Sequence, residues 1–330
     1  MRKTALIAAA ALITAWGGSA TAQTVTDIAW GGSNPGGVMY YMVGVAGTEI
    51  GNELPDVNIT QVTTGGSTEN AKRLIKGELD MGIVYGSHVY MSQTPTGPFE
   101  GGDKGTMLRG VAMAYQGPTY FVTLGGSGIE SLSDLEGKKV ADSAFSAMPL
   151  LFPAYAKAAS IDAKKVEWIT ADGSTLPALL ARGQVDVIGQ YIVGEPLLAK
   201  AVAPKTLVRL GYAEAGLDYY GNGLVATEAM IKADPDTVKA FIRATYKGLA
   251  DALANPAEAG EIMHKYQKQV SAEIATAETE KVGELVRDYD GKTGAIDPAQ
   301  MAKTVSVVES AYKLSNPVKA EDVYVPGFVE

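Results

Sequence analysis

Cysteine is missing from all 330 residues. That excludes disulfides, zinc–thiolate sites, iron–sulfur clusters and thiol nucleophiles. Histidine occurs only as His88 and His264, too few for a histidine-rich metal centre. Basic residues are the minority, Lys+Arg 28 against Asp+Glu 37 for a net charge of −9. No basic run follows Arg2 and Lys3, so no nucleic-acid partner is expected, because phosphate neutralisation needs clustered Lys and Arg. An apolar run of about 20 residues, the length that spans a bilayer, is also lacking. No Walker A loop, H-E-x-x-H or G-x-S-x-G sequence occurs. These absences weaken an enzyme reading, and no cofactor and no metal are expected.

The first residues read as an export signal. Arg2 and Lys3 precede the apolar run Ala5 to Trp16, and Ala20-Thr21-Ala22 fits the A-x-A cleavage pattern. Cleavage after Ala22 and a periplasmic mature protein are expected. A lipid anchor would need a cysteine at that site.

An internal repeat carries most of the information. Residues 58–64 alternate like a strand, Gly65-Gly66-Ser67-Thr68 follow, and a helical stretch ends at Gly77. Leu79-Asp80-Met81-Gly82-Ile83-Val84-Tyr85 is then a second strand. Residues 165–171, Asp172-Gly173-Ser174-Thr175, a helix stopped by Gly183, and Val185-Asp186-Val187-Ile188-Gly189-Gln190-Tyr191 repeat that order. Ser67 and Ser174 are expected as N-caps, and Gly77 and Gly183 as left-handed helix ends. Asp80 and Asp186 occupy equivalent positions and are read as orienting strand entry. The similarity extends upstream: Val25 to Trp30, a Gly-Ser-Asn-Pro-Gly-Gly loop and a helix from Val38 match Lys139 to Ala141, Asp142-Ser143 and a helix from about Ser146.

Two such units imply two similar α/β lobes. Ligands of open α/β sheets sit beyond the carboxyl ends of the strands, where both Gly-Ser-Thr corners lie. The chain divides as 23–115 for the first part of lobe 1, 116–220 for lobe 2, and 221–330 for a returning strand and C-terminal helices. Asp234-Pro235 and Asn255-Pro256 punctuate those helices. Two more amphipathic stretches cover 272–289 and 298–314, and the tail is expected on the first lobe.

Ser131-Leu132-Ser133-Asp134-Leu135-Glu136-Gly137-Lys138, Leu180-Ala181-Arg182-Gly183-Gln184-Val185-Asp186, Glu195-Pro196-Leu197-Leu198 and Tyr220-Gly221-Asn222-Gly223-Leu224-Val225-Ala226-Thr227 resemble the periplasmic solute-binding proteins of ABC importers for sulfonates, nitrate and thiamine precursors. The N-terminal pieces Gly37-Val38-Met39-Tyr40-Tyr41, Thr64-Gly65-Gly66-Ser67-Thr68-Glu69-Asn70, Gly97-Pro98-Phe99 and Ser127-Gly128-Ile129 are similar instead to TAXI-type binding proteins of TRAP transporters. Both resemblances imply an α/β, type II periplasmic-binding-protein fold, two lobes joined by a two-strand hinge. They also imply a monomer that carries a small-molecule solute to a membrane permease. The longer matching segment favours the ABC partner. A TRAP subunit, or a sensing subunit that presents its closed form to a membrane sensor, is the alternative.

The resemblance lines the cleft with Ser33, Asn34, Tyr40, Gly66, Ser67, Thr68, Tyr85, Ser87, Ser143, Ser146, Gln190, Tyr191 and Glu195. The serines also suit helix caps, and the tyrosines also suit plain packing. Tyrosine is frequent, 16 against 6 phenylalanines, and joins apolar area to a polar tip. Helix N-termini favour anions. Yet no arginine falls in a strand-end loop, so no bidentate anion clamp is visible. Glu195 could instead meet a cationic or hydrogen-bond-donating ligand. His88 is placed on a helix near the cleft wall and His264 on the surface.

Overall fold

The computed structural model describes residues 26–330 except 35–37, 103–106, 118, 145 and 315, and only the backbone of Val38 and Tyr41. The expected leader, its cleavage after Ala22, the strand start at Val25 and loop residues 35–37 lie outside the described residues.

The first unit runs β1 (Thr26–Gly31), α1 (Val38–Glu53), β2 (Val57–Val62), α2 (Ser67–Ile75), β3 (Met81–Tyr85), α3 (Gly86–Gln93) and β4 (Leu108–Met113). The chain then enters β5 (Thr119–Leu124), β6 (Lys139–Asp142), α4 (Ala147–Ala158), β7 (Glu167–Thr170), α5 (Leu176–Ala181), β8 (Val187–Tyr191), α6 (Glu195–Val202) and β9 (Leu207–Gly211). It returns through β10 (Asn222–Thr227) and α7 (Glu228–Ala233). The tail follows as α8 (Pro235–Ala254), α9 (Pro256–Tyr266), α10 (Ala272–Leu285), the hairpin β11 (Asp288–Tyr289) and β12 (Lys292–Thr293), and α11 (Pro298–Ala311).

Two five-stranded mixed sheets result, ordered β2-β1-β3-β10-β4 and β7-β6-β8-β5-β9. In each, three parallel strands are followed by an antiparallel strand that the chain contributes while crossing between sheets. The two crossing segments pair with each other: Gly117 N–H donates to Tyr219 O at 3.1 Å and Gly221 N–H to Tyr115 O at 2.9 Å.

The repeat holds to the level of single bonds. Gly77 (φ 71) and Gly183 (φ 66) each end a helix in the left-handed region, where a side chain would strain the backbone. Behind them, Glu78 N–H returns to Arg73 O at 2.8 Å and Gln184 N–H to Leu179 O at 3.0 Å. Asp80 Oδ2 accepts from Ala29 N–H at 2.8 Å, tying the entry of β3 to β1. Asp186 Oδ2 does the same for Lys139 N–H, also at 2.8 Å. Both aspartates orient strand entry, as their equivalent positions suggest.

The serine caps do not form as expected. Gly66 takes the N-cap of α2 at φ 112, which makes Ser67 the first helical residue. Thr175 takes the N-cap of α5 without a side-chain bond, and Ser174 Oγ turns back to Asp172 Oδ1 at 2.6 Å. The helix starts one residue earlier than expected in the first corner and one residue later in the second.

Between the sheets and the helices lies a core rich in aromatics. Tyr155 and Tyr212 stack with centroids 4.2 Å apart, with Phe121 edge-on to Tyr155 at 5.2 Å. Burying each such ring contributes about 1.5–3 kcal/mol. Trp30, packed edge-on to Phe241 at 4.8 Å, anchors α8 on the first sheet. Asp234 caps α8 by accepting from Thr237 N–H at 3.1 Å, and Asn255-Pro256 separates α8 from α9.

The tail is not confined to the first unit. α10 packs on the Ile192–Gly194 turn and on α6, and α11 packs on α4 as well as α3. Amphipathic periodicity shows that a helix has an apolar face but not which sheet that face meets, so the expected placement was incomplete. No described helix is long and apolar enough to cross a membrane.

Candidate ligand cleft

A cavity of about 580 Å³ opens between the two sheets, a volume suited to a metabolite-sized ligand. Its walls come from the carboxyl ends of six strands. Residues Gly32, Ser33 and Asn34 follow β1, Gly65 to Ser67 follow β2, and Tyr85 ends β3. From the second sheet come Asp142 at the end of β6 with Ser143 and Ser146 behind it, Gly173, Ser174, Leu176 and Pro177 after β7, and Gln190 and Tyr191 at the end of β8. Asn222 at the start of β10 and Tyr115 beside the crossing complete this ring. One side is closed by α10, which contributes Ile274, Glu278, Val282 and Leu285.

The two tyrosines that end the repeated strands face each other. Tyr85 and Tyr191 have ring centroids 6.0 Å apart, tilted by 37°. Tyr85 is 1 % exposed, and its Oη has no hydrogen-bond partner among the described residues. The Tyr191 phenol is its nearest polar neighbour in the cleft. Burial first, then the Tyr191 and Tyr219 phenols, raise the Tyr85 phenol well above its ordinary range. A buried hydroxyl without a partner costs about 1–3 kcal/mol, and a ligand atom in the cavity would satisfy it.

Opposite stands Asp142, 4 % exposed. One oxygen accepts from Ser143 N–H at 2.6 Å and the other from Ser146 Oγ–H at 3.1 Å. Burial raises its carboxyl from 3.8 to about 7, because desolvation penalises the charged form more than these two bonds favour it. Gly189 on the adjacent strand must lack a side chain, since a Cβ there would collide with Asp142 Oδ2. Ser146 caps α4, accepting from Met148 N–H at 3.3 Å, and lies 3.5 Å from Tyr191 Oη. Ser67 Oγ–H donates to Asn222 Oδ1 at 3.1 Å, which joins the α2 corner to the returning strand. Burial also raises Glu278 to about 7.

Nine of the residues expected at the site line this cavity: Ser33, Asn34, Gly66, Ser67, Tyr85, Ser143, Ser146, Gln190 and Tyr191. Four stand elsewhere. Tyr40 is half-buried on α1, one residue past Met39, which does line the cavity. Thr68 and Ser87 are buried beneath the wall, bonded to His88 at 3.1 Å and 3.4 Å. His88 itself is fully enclosed, and burial lowers its imidazole to about 3, so it is neutral at ordinary pH. Glu195 points away from the cavity, paired with Arg209 and accepting from Tyr120 Oη–H at 3.1 Å. His264 is not free on the surface; its Nδ1 lies 2.6 Å from Val270 O. Sequence reasoning missed Asp142, Asn222 and the α10 face. The Asp142-Ser143 turn was visible as a strand end, but only the folded structure shows the carboxylate buried there.

Comparison with known proteins agrees with this architecture. The family model described as NMT1/THI5 like matches residues 56–259. The riboflavin-binding protein RibY of Chloroflexus aurantiacus is 23% identical over 239 residues, which is 68% of this chain and 66% of that protein. The chain thus matches about two thirds of that relative's length. Among solved structures, the periplasmic aliphatic sulphonate-binding protein SsuA of Escherichia coli superposes with a TM-score of 0.66 at 13% identity, over 91% of this chain and 92% of that one. The periplasmic sulfonate-binding protein SsuA of Methylobacillus flagellatus gives 0.62 at 15% identity, over 92% and 93%. These likenesses show the periplasmic-binding-protein fold.

Proposed function

Because the chain belongs to the NMT1/THI5-like family, we propose that it is an exported solute-binding protein. It captures one small molecule between the two sheets and hands it to the permease of an ABC importer. On this reading the leader read at 1–22 directs export to the periplasm, and the mature protein acts there as a monomeric carrier rather than an enzyme. The observation that carries this reading is the cavity of about 580 Å³ ringed by the carboxyl ends of strands from both sheets. A solute there touches both halves at once, so its binding energy opposes their separation. The paired crossing segments at 115–117 and 219–221 are the hinge, and the lobes divide there. The RibY and SsuA likenesses support capture of a small molecule, since each of those proteins is named for one that it binds.

Thermal-shift screening of the purified mature protein tests this reading. A ligand that binds only the folded state raises the melting temperature, by about 2.7 kcal/mol of stability at one hundred times its Kd. Ser67→Leu, which fills the α2 corner and removes the Asn222 bond, is expected to weaken a confirmed ligand by about 1–3 kcal/mol. An unchanged affinity removes that corner from the site. Turnover of a bound compound would contradict the assignment as a carrier.

A further inference from the structure

The class of solute can be read from the charges around the cleft, provided the cleft is the solute site proposed above. We infer that it takes a molecule with a protonated or amino nitrogen on a flat, largely apolar body. The nitrogen sits against the Asp142 carboxylate, and sulfonates and carboxylates are rejected.

The first observation is that at three cleft corners a backbone N–H is already engaged by a carboxylate of the chain. Backbone N–H groups at strand-to-helix corners are the usual cradle for an anion. Here Gly65 N–H donates to Glu69 Oε2 at 2.7 Å, Ser143 N–H to Asp142 Oδ1 at 2.6 Å, and Ser174 N–H to Asp172 Oδ1 at 2.8 Å. Three corners that could hold a ligand's oxyanion each hold a carboxylate of the chain itself. An incoming anion would have to displace those carboxylates or sit beside them.

The second observation is the sign of the wall. No arginine is among the described residues lining the cavity, and its one lysine there, Lys200, is exposed at the rim. Asp142 and Glu278 are the acids of the wall. Among the described residues, the titratable groups that neighbour Asp142 are neutral. The phenols of Tyr85, Tyr191, Tyr212 and Tyr219 lie in its field and are all held neutral by burial. Ser143 and Ser146 supply its two bonds. A buried carboxylate without a cationic partner is expensive, and a ligand ammonium or amidinium would supply that partner. The body of the ligand would lie against the paired rings of Tyr85 and Tyr191 and the apolar face of α10, while the Tyr85 Oη offers it one further hydrogen bond.

Matched probes test the sign. Tryptamine is compared with indole-3-acetate, and naphthalene-2-carboxamidine with naphthalene-2-sulfonate, by calorimetry on the full mature protein at pH 8. The cations are expected to bind at least tenfold tighter than their anionic partners. Asp142→Asn is expected to remove at least tenfold of that affinity. A second readout separates Asp142 from Glu278, which is raised to the same range: wild-type affinity for the amidine should fall about tenfold from pH 8 to pH 6, as Asp142 takes up a proton, and most of that fall should be lost in Asp142→Asn. Anions binding as tightly as cations, or an amidine affinity indifferent to both Asp142→Asn and pH, would overturn the inference while leaving a solute-binding cleft. Silence of both probe sets at 1 mM also overturns it. If an extract of growth medium then produces no thermal shift either, the solute-binding reading falls with it.

Discussion

Asp142→Asn should make the empty protein more stable, and by an amount that depends on pH. Asp142 titrates near 7 in the fold against 3.8 for an ordinary aspartate. That difference of about 3 pH units corresponds to about 4 kcal/mol at about 1.4 kcal/mol per unit. The folded carboxyl holds its proton more tightly than the unfolded one. Its contribution is therefore most favourable below pH 4, declines as pH rises from about 4 to 7, and is flat above that. Asparagine carries no such penalty, and its carbonyl can still accept from Ser143 N–H. Urea unfolding at fixed pH should find the variant and wild type within about 1 kcal/mol of each other at pH 4.5. By pH 8 the variant should be ahead by about 2–4 kcal/mol. Glu278, raised in the same sense, and His88, lowered, are present in both proteins and cancel in the difference. A gap that does not change with pH, or a wild type more stable at pH 8, would refute the argument that Asp142 is kept for binding at the expense of stability.

The paired strand-entry bonds should differ in weight. Asp80→Ala, half-buried, is expected to cost about 1–3 kcal/mol in urea unfolding and Asp186→Ala, exposed, less than about 1 kcal/mol. Burial holds His88 near 3, so its contribution is full above pH 6.5 and is lost as pH falls toward 3. His88→Gln should flatten that part of the acid-stability profile. Leu285 packs with Val193 and Val282 where α10 meets the second unit. Leu285→Ala should cost about 2–5 kcal/mol in denaturant unfolding and speed ligand release in stopped-flow experiments.

The duplicated architecture was legible in the sequence because its punctuation is local. A glycine that ends a helix and an aspartate that opens a strand act through their immediate backbone, so Gly77, Gly183, Asp80 and Asp186 could be assigned from spacing alone. The same locality explains why Tyr85 and Tyr191 were placed at corresponding strand ends. Their approach to 6.0 Å depends on how two sheets face each other, which no local pattern encodes. Ser67 and Ser174 each miss the cap by one residue, because Gly66 at φ 112 takes the first cap itself and Asp172 holds both the N–H and the hydroxyl of Ser174. Glu195 looked available for a ligand because Arg209, its partner from β9, is 14 residues away in the chain. Asp142 was passed over for the converse reason: a strand-end aspartate is ordinarily solvated, and its burial follows from packing of β8 and α4 around it.

Lobe closure on a bound molecule is best measured by the distance between two labels. Because the chain has no cysteine, Lys76→Cys on the first unit and Lys164→Cys on the second, both exposed, would carry the only spin labels. Pulsed dipolar spectroscopy with the tightest ligand from the screen should show the distance distribution narrowing to its shorter component, with a longer one populated when ligand is withheld. Identical distributions with and without saturating ligand would contradict capture between two moving halves.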